Sequence, residues 1–147
     1  MYKLWLLLLS LLLAGCANAT RTTSVGLHGT SFSVELATNA PSREHGLMMR
    51  TSLAQGHGML FAFPHIGPQG FWMKNTLIPL DILYFNADRR LVSMQQNVPP
   101  CKVDPCPIYP SAAPALYVLE VSAGTAARIG IELGDELKIG GDVGDVE

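Results

Sequence analysis

Between Thr30 and Ala37 the chain alternates: Phe32, Val34 and Leu36 are apolar, while Ser31, Ser33 and Glu35 are polar. That period of two marks a half-buried strand. Asn39 then stands where it can cap a helix, with Pro41 in the first turn and Glu44 early along it. Residues 40–49 are therefore predicted to form a short helix interrupted by Gly46. Residues 59–63 are a compact apolar run ended by Pro64, predicted as a buried strand. A turn over 67–70 leads into a strand beginning at 71–74, and Leu80–Phe85 resumes strand character beyond Pro79. Residues 86–88 make a hairpin turn into Leu91–Val98, and a Pro-rich loop spans 99–114. Residues 115–121 are strand-like, 123–129 can make one or two helical turns before Gly130, and 136–139 form a last short strand. Many short strands with turn residues between them, and only scraps of helix, predict a mainly β (or α+β) fold: a compact antiparallel β sandwich or barrel with one or two short helices.

The amino-terminal pattern is different. Lys3 precedes an apolar run from Leu4 to Leu13 that is relieved only by Trp5 and Ser10. Such a run of roughly ten residues is too short to cross a bilayer as a helix, which takes about 20, and it reads as an export leader. Leu13, Ala14, Gly15 and Cys16 resemble the bacterial lipobox, in which the cysteine is acylated before cleavage. The expectation is a signal peptide over 1–15, a lipidated tether over 16–26, one domain over 27–140 and a frayed tail over 141–147. With Ala17 after the cysteine, the sorting pattern points to an exported protein whose membrane partner is reached through the lipid, on the periplasmic face of an outer membrane.

Composition narrows the partners. The formal charge is −2, Lys and Arg number 10 against 12 Asp and Glu, and no basic cluster exists to neutralise a row of phosphates, which argues against nucleic acid. Beyond Cys16 only Cys101 and Cys106 remain, an even pair in an oxidising compartment, and a disulfide is expected; a redox pair or a soft metal site are the alternatives.

Arg43, Gly46, Leu47, Met48 and Arg50, then Gly58 to Phe61, then Phe71 to Thr76 with Ile78 to Ile82, and finally Tyr117 to Glu120, Ala123, Gly124, Gly130, Ile131, Gly134 and Asp135 resemble the domain of unknown function 192 family. The run from Phe71 to Ile82 is the most specific part, and the resemblance covers about residues 27–140. It implies a compact, β-rich, jelly-roll-like domain, often exported and often with this cysteine loop, and it supplies no catalytic residue.

The chemistry-bearing stretch is Trp72, Lys74, Asn75, Thr76 and Asp81, where charged and amide groups stand beside an aromatic ring, the composition of a small-molecule or sugar site. The structural alternative puts Trp72 or Met73 in the core, pairs Lys74 with Asp81 and uses Asn75 to support the turn. Arg43 and Arg50 can each reach a carboxylate, on a ligand or on Glu120, which ends an otherwise apolar strand. An enzyme acting on envelope polymers through Asp81 and Glu120 needs those carboxylates within about 5–10 Å of each other in one cleft. Met48, Met49, Met59, Met73 and Met94 with His45, His57 and His65 suggest a soft-metal site, but the histidine spacing is wrong and core packing explains the methionines, so no metal or other cofactor is expected. The leading reading is a ligand-binding or accessory module of the cell envelope; the alternatives are that enzyme and a structural partner of another envelope protein.

Overall fold

The computed structural model describes residues 20–147, so the expected leader over 1–15 and the expected lipidation at Cys16 lie outside the described residues. Within them β1 (Thr22–Leu27) and β2 (Thr30–Ala37) form a hairpin, followed by α1 (Ala40–His45), β3 (His57–Gly67), β4 (Gly70–Trp72), β5 (Leu80–Phe85) and β6 (Leu91–Val98). Then come β7 (Ile108–Pro110), β8 (Ala115–Ser122), α2 (Thr125–Ile129) and β9 (Lys138–Ile139). Seven strands make one curled sheet in the order β6-β5-β8-β3-β2-β1-β9, and β4 pairs with β7 in a small second sheet. The expected mainly β fold with two short helices is what forms.

One pairing departs from the antiparallel expectation. β2 and β3 run parallel, Ser33 opposite His57 and Ala37 opposite Phe61. A parallel pair needs a crossover, and α1 with the loop behind it supplies one. The helix starts where Asn39 accepts the Ser42 amide at 2.9 Å while the Ser42 hydroxyl answers the Asn39 amide. It stops at His45, four residues short of the expected end, because Gly46 takes φ +50°. The Met49 amide then donates to the Asn75 carbonyl at 2.8 Å, which ties the crossover to the turn after β4.

Strand alternation divides the core between the two faces of the sheet. Leu60, Leu83, Phe85, Leu119 and Val121 join Val25, Leu27, Phe32 and Val34 in one cluster. Met59, Phe61, Leu80, Ile82, Tyr84 and Val118 join Leu47 and Met73 in the other, beneath α1 and the small sheet. All six residues of β5 are buried, as a strand covered on both faces requires.

Two boundaries are corrected. Residues 22–26, assigned above to the tether, are most of β1, whose neighbours are β2 and β9. The tail beyond Gly140 folds back: Val143 packs on the first cluster and the Glu147 amide donates to the Thr38 carbonyl at 2.9 Å. The cysteine loop is closed by the Cys101–Cys106 disulfide, and the Cys101 amide donates to the Met73 carbonyl at 3.3 Å. That loop delivers β7, which the sequence pattern did not show, to pair Ile108 with Trp72 and Tyr109 with Phe71.

Candidate functional site

A cleft opens where the carboxy-terminal turn of α1 faces β4 above the second core cluster. Its inner part is a slot of about 20 Å³ lined by Arg43, Phe61, Phe71, Trp72, Thr76 and Glu120 among others. Its outer part is a bowl of about 410 Å³ lined by Pro41, Glu44, His45, Met48, Trp72, Lys74 and Asn75. Trp72, Glu44, His45 and Met48 are common to both, so the two spaces are one cleft.

Glu120 forms the floor. It lies on β8 opposite Met59 of β3 and Ile82 of β5, so its side chain shares their face. The close approach of β3 and β8 here depends on Gly58, where an added Cβ would stand 2.4 Å from the Glu120 carbonyl oxygen. Glu120 is only 4% exposed, and among the described residues no donor hydrogen-bonds its carboxyl and no cation pairs with it. Among the described residues no fully sealed side-chain polar atom lacks a partner, so the Glu120 oxygens open onto the slot. Burial alone pushes its pKa up to about 8, which leaves the group mostly protonated at neutral pH. Tyr84, on β5 beside it, is pushed upward by burial first and by the Glu120 charge second, and its hydroxyl donates to the Tyr109 carbonyl at 2.7 Å.

The other candidates divide cleanly. Trp72 lines the cleft and is 40% exposed, whereas its neighbour Met73 is the buried one. The Lys74 ammonium stands 5.6 Å from the Trp72 ring centroid and 4.0 Å from Asp104, not beside Asp81. Asn75 borders the bowl with φ +55°, a left-handed turn position that asparagine tolerates. Arg43 lines the slot but is committed elsewhere: its Nη1 donates to the Ala62 carbonyl at 3.0 Å, its Nη2 to the Glu147 carbonyl, and the guanidinium lies 5.2 Å from the Phe63 ring centroid. The expected bond from an arginine to Glu120 is therefore not made.

Asp81 and Arg50 leave the list of ligand residues. Asp81 is fully buried on the opposite face of the sheet, since Val121 rather than Glu120 is its register partner. Its Oδ1 accepts the Asn97 and Gly124 amides at 2.8 and 3.1 Å, and its Oδ2 accepts the Ala126 amide at 2.8 Å. The bonds from Gly124 and Ala126 cap α2, whose own cap residue Gly124 offers no side chain, and the bond from Asn97 ties in β6. Two carboxylates on opposite faces cannot share a cleft, so the acid and base pair of Asp81 and Glu120 is ruled out. Arg50 meets Glu35 through both guanidinium arms, one at 2.7 Å, beside a different depression that includes His57.

Sequence reasoning missed Phe61 and Phe71 as cleft residues. Phe61 and Phe71 pack edge to face with centroids 4.9 Å apart, and nothing in an apolar run says which aromatic will border a cavity. Thr76, which belongs to the stretch singled out in the sequence, lines the slot and is 6% exposed.

The model of the family DUF192, described as uncharacterized ACR, matches residues 22–139. A crystal structure of a protein of unknown function from Novosphingobium aromaticivorans superposes with a TM-score of 0.76 at 34% identity, covering 84% of this chain and 89% of that one. A second, described as a "putative transcription regulator" from Sinorhizobium meliloti, gives a TM-score of 0.72 at 36% identity, covering 82% of this chain and 95% of that one. No curated protein matches the chain. With the family model spanning every strand from β1 to β9, this chain belongs to the DUF192 family.

Proposed function

We propose that the chain is a lipid-anchored ligand-binding module of the cell envelope, with Trp72, Lys74 and Asn75 at the mouth of its site and Glu120 at the floor. One observation carries the reading: an exposed indole stands over a cleft that ends on a buried carboxyl without a protein partner. Proteins seldom leave a large aromatic ring and an unpaired buried acid side by side unless something binds there. The anchor rests on the leader and on Cys16. Since β1 begins at Thr22, residues 17–21 can span at most about 18 Å, which holds the domain close to the bilayer surface. The charge pattern of the sequence gives no support to a role in transcription, because its net charge is −2 and its basic residues are scattered.

Trp72 is the sole tryptophan beyond the leader, so its fluorescence reports the cleft directly. Titrating the protein with soluble fragments of the bacterial cell wall is expected to shift that emission. Trp72→Ala should weaken binding by about tenfold, from roughly 1–1.5 kcal/mol of aromatic contact, while calorimetry shows an unfolding temperature within a few degrees of the parent. An unfolded variant would make Trp72 a packing residue, and unchanged affinity would move the site elsewhere.

A further inference from the structure

The charge that Glu120 lacks indicates what enters the slot. Three of the donors near it are committed: Arg43 to two backbone carbonyls, the Tyr84 hydroxyl to the Tyr109 carbonyl, and the Thr76 hydroxyl to the Lys74 carbonyl at 3.4 Å. Glu44 and His45 of α1 border the cleft, and Lys74 at its mouth stands 4.0 Å from Asp104. The slot walls are Phe61, Phe71 and Trp72, and aromatic faces attract cations. Residues 43–46, the carboxy-terminal turn of α1, line the same space and bring the negative end of the helix to it. The inner volume of about 20 Å³ admits one water-sized group and no more.

We propose that the slot binds a primary ammonium group, carried by a ligand whose body lies in the outer bowl against Trp72. The inference rests on the reading of the cleft as the binding site. A –NH₃⁺ is water-sized and brings three donors and a charge to a carboxylate that has neither donor nor partner. A trimethylammonium or a guanidinium exceeds the slot, an anion gains no ion pair with Glu120, and a hydroxyl forms a hydrogen bond without one. Protons balance simply. Glu120 in the free protein carries its proton up to about pH 8, and an arriving R–NH₃⁺ leaves a Glu120 carboxylate paired with the ammonium and one H⁺ released to solvent. Affinity therefore rises close to tenfold per pH unit well below pH 8 and levels off above it.

The test uses the full chain in detergent, titrated calorimetrically with phenethylamine, 2-phenylethanol and trimethyl(phenethyl)ammonium at pH 6.5 and 7.5, in buffers of different ionisation heat. Phenethylamine is expected to bind several-fold tighter at the higher pH, to release close to one proton per molecule at pH 6.5, and to exceed the other two at least tenfold. Glu120→Gln, checked for folding by circular dichroism, should abolish the proton release and the preference for the amine; the parent protein's own proton release tests the point without any variant. Equal or tighter binding of the alcohol, or amine binding without proton release, overturns the ammonium assignment and leaves the cleft as the site. Failure of all three compounds to bind overturns both.

Discussion

Among single residues, two buried carboxyl groups have opposite fates. Asp81 is buried with its oxygens accepting three backbone amides, while Glu120 is buried beside aromatic rings and accepts none among the described residues. The consequence for stability follows from linkage. A carboxyl with an ordinary pKa near 4.5 when unfolded and about 8 when folded stabilises the fold only while it is protonated. Its contribution is complete below pH 4.5 and is lost progressively as pH rises toward 8. From pH 4.5 to 7 that amounts to about 3 kcal/mol, taking roughly 1.4 kcal/mol per pKa unit. Denaturant melts across this range should show stability falling with pH, and Glu120→Gln should flatten the curve. A parent protein whose stability is level between pH 5 and 7.5 would contradict the burial described here.

At the scale of elements, Asp81 and α2 show how a side chain that looks functional in sequence serves the fold. The same stretch that suggested a ligand site, with Lys74, Asn75 and Asp81, is split by the bend around Pro79, which sends Asp81 through the sheet to its other face. Asp81→Ala removes three charge-assisted hydrogen bonds and is expected to cost about 2–4 kcal/mol in thermal unfolding, yet to leave the affinity of the folded protein for its ligand unchanged. Lost affinity in the folded variant would return Asp81 to the site. The strands at Thr30–Ala37, Leu80–Phe85 and Leu91–Val98 were legible because alternation and apolar runs are local signals. β7 and the amino-terminal half of β1 were not: one is three residues among prolines that a distant strand, β4, pairs with, and the other is polar where it is exposed and is held by its pairing with β2. The cleft has the same origin. Trp72, Lys74, Asn75, Arg43 and Glu120 stood out by residue type, but their meeting depends on a parallel crossover that sets α1 opposite β4, and no local period encodes that pairing.

At the scale of the whole molecule, a curled sheet with a core on each face is closed on one side by α1 and the small sheet, and the cleft is the seam between them. Five residues separate Cys16 from β1, so the proposed anchor would present this body directly at a membrane. Mass spectrometry of the protein from its own membranes is expected to find Cys16 as the first residue with acyl chains attached; an unacylated product, or one that begins elsewhere, would remove the anchor from the account. The cleft does not depend on that result. Its most direct test is the side-chain carboxyl resonance of Glu120, followed by carbon NMR in glutamate-labelled protein without ligand from pH 4 to 10. One inflection near pH 8 is expected, displaced downward when phenethylamine occupies the slot. An inflection near 4.5 would mean that Glu120 already has a partner or open water, and the site built around it would fall.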